Sequence, residues 1–585
     1  MAGTSDAIAG TNQRTILLTR LATAAIQAIA LYLLLEASID RPTWPASHPE
    51  LFKPLLLISG CVPLIILCGT GQLTGRALAG WAAAAALILA GLGWHDATRG
   101  AAPNSPAQEM FWPSWRLLLV TPPLLFVSHV LVTDALMEHR LMPPYRRHFD
   151  TAWKIGLQGL LAGAFLAVFW GMLTLGAGLF KLLNVTLFVE LLQKRWFAIP
   201  ATTLALAAAI HATDVQPALI RGTRTMVVTL FAWLLPLLAL ILLGFLACLP
   251  ILSLAPLWGT HFAAGLLLAA AALMVALINA AYQDGSTERP AVQQWAARLG
   301  ALELLPLVGL AAWALGLRVG QYGWTTDRVL AAAAILVAAV HALGYTAAVF
   351  GRPWMQRLER TNEATAWLAV AVALALFSPL ADPGRLMVAD QLARLSRGDV
   401  TPEHLDYRAL RFDGAKWGQA ALADLAAAPE TASRAQAAIA LRARNGGQQQ
   451  TPDGRAAHID VFPPDRTLPP QMLADGAPWL TALPYYSCLT PNNPNHCQAR
   501  FVRLSPEQEE MILLITAPQA FLLAPDANGK WRVRGELAGK LHCLDLAKAL
   551  ATGDLTTAPH GQPDIVVGAT RYSITPPRGG DCPKS

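Results

Sequence analysis

The sequence predicts an all-α polytopic membrane domain of about eleven transmembrane helices, followed by a smaller α+β soluble domain with an antiparallel β part. Three observations carry this. Apolar runs recur up to about residue 381, each near the length of about 20 residues that crosses a hydrocarbon core. Only 14% of the 585 residues are charged, against roughly a quarter in a soluble chain, and the deficit is confined to those runs. From residue 384 onward, Asp, Glu, Arg, Pro and Gly occur throughout, as in a globular chain. The expected organisation is a transmembrane helical domain over 1–381, a helical connecting segment over 382–450 and an exported β-rich domain over 451–585.

The runs begin near Ile16, Leu51, Ala77, Trp115, Lys154, Trp196, Met226, His261, Leu299, Val329 and Ala364. The first contains Arg20, and it reaches Leu35 without an A-x-A cleavage site, so it reads as an uncleaved span rather than a signal peptide. The sixth, WFAIPATTLALAAAIHA, is short. Between the fifth and sixth, LLNVTLFVELLQKRW has helical apolar spacing, is too short to span and ends in Lys-Arg-Trp, which suits a helix lying on the membrane surface. Pro236 and Pro306 interrupt two spans of like orientation.

Basic residues choose the sides. With the N-terminus in the cytoplasm, the inner connections carry Arg76, then Arg140, Arg146, Arg147 and Lys154, then Arg221 and Arg224, Arg289 and Arg298, and finally Arg352, Arg357 and Arg360. The outer connections carry fewer, although Lys194 and Arg195 pull the other way. An odd number of spans then places residues 382–585 outside. The net charge of +6 is spread through these short connections, with no basic stripe interleaved with aromatics, so the lipid bilayer is the expected partner and nucleic acid is not.

Outside, Cys488, Cys497, Cys543 and Cys582 occupy an oxidising compartment, where an even number favours two disulfides. Of the three pairings, Cys488 with Cys497 and Cys543 with Cys582 is preferred. A competing metal reading uses Cys488, His496, Cys497, His542 and Cys543, but adjacent His-Cys pairs fit no zinc knuckle or ribbon. Cys61, Cys68 and Cys248 lie in or beside spans and read as small apolar residues.

In the soluble part, Thr401-Pro-Glu opens a turn, GAKWGQAALADLAAAP and TASRAQAAIALRARN have helical spacing, and GGQQQTPDG reads as a linker. The period then changes to strands in ARFVRL, EMILLIT, AFLLAP, KWRVRGEL and DIVVGATRYSI, with Asp526 to Gly529 as a hairpin turn. GELAGK and Gly69-Thr-Gly-Gln-Leu-Thr-Gly75 miss the phosphate-loop and dinucleotide spacings and read as turns. No cofactor is implied.

Ionisable and amide groups inside spans are costly and therefore mark candidate sites. They are His129, His211 with Asp214, Asn279 with Asp284, Glu303, and His341 with Tyr345, all toward the cytoplasmic ends under this topology. They form a candidate inward-facing polar cavity with Glu303 and a histidine as a proton-responsive pair. The plainer alternative is that helix ends reach water and headgroups, with Gly285 capping a helix after Asp284.

The stretches FDTAWKIGLQGLLAGAFLAVFWGMLTLGAGLFKLL, INAAYQDG, LRVGQYGWTTDRV and RLMVADQLARLSRGDVTPEHLDYRALRFDGAKWGQAAL resemble, in that order, the bacterial polytopic membrane proteins grouped as domain of unknown function 4153. The resemblance covers roughly Phe149 to Leu422. It implies a bacterial inner-membrane protein, with the outside being the periplasm, and brings no substrate, cofactor or catalytic residue. Three function classes follow. The leading one is a non-enzymatic envelope protein presenting a periplasmic binding or sensing domain to a periplasmic or envelope protein partner. The alternative is a secondary transporter using the polar cluster. The third is a lipid-linked-sugar glycosyltransferase with Glu36 and Asp40 as its acids, which lacks the long outer loop such a site needs.

Overall fold

The computed structural model describes residues 2–39, 42–100, 112–252, 263–283, 290–351 and 354–427, and segments between 434 and 572. The chain divides into two compact units, Met1–Arg444 and Asn445–Ser585.

The first unit is helical: α1 (Ala2–Ala37), α2 (Pro49–Gly69), α3 (Gly75–Arg99), α4 (Trp115–Glu138), α5 (Tyr145–Leu182), the short α6 (Leu187–Gln193), α7 (Arg195–Val215), α8 (Pro217–Leu252), α9 (Ala263–Tyr282), α10 (Ala291–Tyr322), α11 (Thr326–Val349) and α12 (Trp354–Leu376). Among the described residues, ten of these helices, α1–α5 and α7–α11, are long and apolar enough to cross a membrane, against the eleven runs expected. The exception is α12, whose first half carries Arg357, Glu359, Arg360 and Glu363. It still runs the length of the bundle: its 23 residues rise about 34 Å. Asn362 in its first half bonds to Asn279 and Tyr345, and Asp382 just beyond its end bonds to His95 and Arg99.

The helices alternate in direction, so α2, α4, α7, α9 and α11 finish at one end of the bundle, called here the near end, and start at the far end. Buried Leu235, Met274, Ile278, Leu304, Leu307 and Leu358 form the core between α8, α9, α10, α11 and α12. A second core joins Leu57, Leu89, Leu117 and Leu124 of α2–α4 to Phe377 after α12. Gly93 lets α3 approach α2: a Cβ there would lie 2.7 Å from the Pro54 nitrogen and 2.8 Å from its Cα, the close backbone contact that small residues permit in membranes. As expected, α6 is a short helix between the fifth and sixth spans, and it buries none of its residues.

Beyond the bundle, α13 (Pro383–Arg397), α14 (Tyr407–Phe412) and α15 (Ala415–Ala427) pack around buried Met387, Leu410 and Leu422. Residues 402–404 form a turn, and the N-cap is Asp406, which accepts from the Ala409 amide.

In the second unit, β1 (Ile459–Phe462), β2 (Cys497–Val502), β3 (Met511–Ile515), β4 (Ala520–Pro525) and β5 (Trp531–Glu536) form one sheet in that order. β1 runs parallel to β2 and the remaining neighbours are antiparallel, so the sheet is mixed where the sequence predicts an antiparallel one. IDVF is too short to announce itself as a strand, and its parallel pairing needs no local turn. Trp479, Met472, Leu514, Phe521 and Trp531 fill the core on the sheet. At the β4–β5 turn, Gly529 has φ +75 and donates to the Asp526 carbonyl, 2.9 Å away. DIVVGATRYSI is a separate two-stranded pair, β6 (Ile565–Val567) with β7 (Thr570–Tyr572), rather than one strand. The GGQQQTPDG linker lies outside the described residues.

Candidate functional site

The near end collects most of the polar residues inside the bundle. Arg20, fully buried, is held by the carbonyls at the end of α2: its Nε donates to Leu67 O at 3.1 Å and its Nη2 to Thr70 O at 3.0 Å. Helix ends leave such carbonyls without amide donors, so the guanidinium meets acceptors the fold supplies anyway. It is also paired with Asp214, which Lys154 Nζ approaches at 3.0 Å. His211 Nδ1 lies 3.4 Å from Arg20 Nη1. A charge inside the first span is thus neutralised by the seventh helix, 194 residues later.

A second cluster joins α5, α9, α11 and α12. Tyr345 donates to Asn362 Oδ1 at 2.7 Å, Asn362 Nδ2 to Asn279 Oδ1 at 2.7 Å, and Asn279 Nδ2 to Tyr345 Oη at 2.9 Å, closing a ring. Asn279 also donates to Val275 O and accepts from Tyr145 at 3.3 Å. Two donors and two acceptor positions are the full inventory of an amide side chain, so Asn279 is saturated and its role is to join helices. His341 stacks edge-on against Tyr345, and its Nε2 lies 2.9 Å from Thr365 Oγ1. Beside the ring lies a cavity of about 280 Å³, whose lining includes Tyr145, His148, Trp153, Asn279, Asn362 and Glu363. His148 is in turn held by Asp134 at 2.8 Å, and Thr151 donates to the same carboxylate at 2.6 Å.

The remaining candidates stand apart. His129 accepts from Trp81 Nε1 at 2.9 Å. Glu303, 3% exposed, has no hydrogen-bond partner on either oxygen, and no histidine is bonded to it. Asp284 and Gly285 lie outside the described residues, as do Asp40, Cys488, His496, His542, Cys543 and Cys582. Cys497 is fully buried at the start of β2. Glu36 sits 4.0 Å from Arg195 at the far end. Among the described residues, no group of three or more His, Cys, Asp or Glu is placed to hold a metal.

The far end has a lock that local sequence does not announce. Asp382, the N-cap of α13, accepts from the amides of Gly384 and Arg385 at 2.8 and 3.3 Å, and its other oxygen lies 2.9 Å from His95 Nε2 and 3.1 Å from Arg99 Nε. Burial opposes its charge, but the His95 hydrogen bond, the Arg99 guanidinium and the two amides outweigh it and hold the carboxyl below its ordinary range. Next to it Trp417 of α15 packs on His95. Farther along α13, Asp390 accepts from the Trp324 amide at 2.8 Å and Arg394 donates to the carbonyls of Val319 and Gln321 at the end of α10. Lys53 and Asp96 form a buried pair nearby at 2.9 Å. The one legible signal was Asp382-Pro383, an N-cap followed by proline in the first turn.

A family model described as Domain of unknown function (DUF4153) matches residues 54–416. The match takes in the second to fourth helices, upstream of the stretch whose motifs carry the resemblance, and ends in α15. No curated protein and no solved structure matches the chain.

Proposed function

The chain belongs to the family described as domain of unknown function DUF4153, and on that premise we propose that this multi-pass membrane protein is a non-enzymatic envelope protein of the bacterial inner membrane, with its N-terminus in the cytoplasm. Residues 382–585 face the periplasm, where the β-rich unit binds a protein partner or senses its state. The observation that carries this reading is the tying of α12 within its first half and just beyond its end. In its first half it holds the Asn279–Tyr345–Asn362 ring, and just past its end Asp382 fixes α13 to α3. A helix fixed in this way carries a displacement of α13–α15 to the near end, because packed elements shift as units. The near end bears Arg140, Arg146, Arg147 and Lys154, which supports a cytoplasmic face there.

The test is complementation of a strain deleted for the gene. The full chain restores the deletion phenotype, and a chain ending at Arg444 inserts in the membrane but does not. Restoration by the shortened chain would sink the reading. Transport is the second reading, favoured by the cavity of about 280 Å³ at the near end, whose size suits a small solute. It predicts that Asn362→Ala abolishes function in a chain that is still membrane-inserted and folded.

A further inference from the structure

We propose that Glu303 is a proton-binding site of the membrane bundle and holds its proton in the packed state described here. On α10, Arg298 and Arg318 are separated by 20 residues, about 30 Å along the helix, which is the thickness of a hydrocarbon core. Glu303 is the one charged residue between them and lies five positions inward from Arg298, about 8 Å along the axis. Its residue is 3% exposed and both carboxyl oxygens are buried without a hydrogen-bond partner.

A carboxylate in that position needs donors or a counter-charge, and among the described residues neither is bonded to it. The helices packed on α10 are α8, α9, α11 and, through Trp354, α12. Several of their charged and titratable groups in the same half of the bundle are engaged with other partners. Arg224 is paired with Asp150, Tyr282 donates to Glu359, Tyr345 donates to Asn362, and His341 Nε2 meets Thr365. Arg298, on α10 itself, lies over the Trp354 ring, 5.5 Å from its centroid. The side chain of Arg221 lies outside the described residues.

Pro306 within α10 has no N–H, so the Leu302 carbonyl loses its helical donor. A buried carboxyl with neither donor nor counter-charge bonded to it favours the neutral acid, because an isolated ion in such a medium neutralises instead. Release of the proton then requires the packing of α10 against α9 and α11 to open. In this way the bundle couples a proton to its own conformation.

The experiment is infrared spectroscopy of the full chain in lipid at neutral pH, comparing wild type with Glu303→Gln, which preserves size and cannot ionise. The expected difference is loss of one carbonyl stretch of an un-ionised acid in a low-polarity environment, with the carboxylate bands unchanged. Loss of a carboxylate band, or no loss of the acid band, overturns the proposal. A matched measurement on Glu363→Gln confirms that a single carboxyl is resolved in the spectra. Labelling with a membrane-soluble carbodiimide gives a second readout. The acid's O–H adds across the N=C=N group, the proton going to nitrogen and the carboxyl oxygen to carbon, and acyl migration leaves a stable N-acylurea. Glu303 is modified by this reagent and spared by a membrane-impermeant carbodiimide; modification by the impermeant reagent contradicts a dry, protonated site.

Discussion

Replacing Asp382 tests the far-end lock most incisively, because two variants separate its two functions. Asp382→Asn keeps a good helix cap for the Gly384 and Arg385 amides but withdraws the charge that His95 and Arg99 address. Removing one partner of a buried ion pair costs about 3–5 kcal/mol. The Arg99 side chain is 15% exposed and the amide still accepts one hydrogen bond, so about 2–3 kcal/mol is expected for Asn. Asp382→Ala loses the cap as well, at about a further 1 kcal/mol. The assay is hydrogen exchange of the amides of α13 with the protein in lipid. At 1.4 kcal/mol per factor of ten, Asp382→Asn speeds exchange there about 30- to 140-fold while leaving the core amides of α9 and α10 unchanged. Arg99→Gln shows coupling to Asp382→Asn of about 1 kcal/mol or more in a double-mutant cycle. Wild-type exchange in Asp382→Asn, or strict additivity in the cycle, would refute the lock. Acidification is a third perturbation with a fixed sign. The folded carboxyl sits below its ordinary value, so its contribution is complete above the unfolded pKa near 4 and is lost as pH falls through the folded pKa.

Three further outcomes follow from the bundle. Arg20→Met leaves Asp214 with Lys154 alone and empties the Leu67 and Thr70 carbonyls of their donor. It lowers stability by about 2–3 kcal/mol in denaturant titration, and Asp214→Asn on top recovers part of the loss, which a purely steric role for Arg20 would not allow. Asn279→Leu breaks the ring and removes the acceptor of the Tyr145 hydroxyl on α9, at about 2 kcal/mol given the modest worth of each interhelical bond in lipid; an unchanged midpoint contradicts the joining role. Gly93→Ala forces α3 away from Pro54, costing about 1–3 kcal/mol and showing as a lowered unfolding temperature that Pro54→Ala does not rescue, since the clash is with backbone.

The long helices were legible because a hydrocarbon core demands about 20 apolar residues in a row, and this demand is met locally. α12 was legible only in its second half, where WLAVAVALAL follows the charged turns around Glu359 and Glu363. The near-end candidates were legible as unusual residues and not as partners. His341 and Tyr345 are one turn apart and meet, and Asn279 meets Tyr345, but nothing in the sequence joins Asn362 to Asn279 or Arg20 to Asp214. Those contacts cross 83 and 194 residues and are set by helix packing. Arg20 reads as a blemish in a span for the same reason: its compensation is elsewhere. In the second unit, the strands β2–β5 announce themselves by period and by the Asp526 to Gly529 turn, whereas β1 depends on a parallel neighbour far along the chain.

The most direct test of the account is the sidedness of the two bundle ends, which every functional reading here uses. Single cysteines at Ser396 in α13 and at His139 after α4, both exposed, are treated in intact cells with a membrane-impermeant maleimide and scored by mass spectrometry. Ser396→Cys is expected to label in intact cells and His139→Cys only in inverted vesicles. The reverse pattern, or labelling of both positions from the same face, would contradict it.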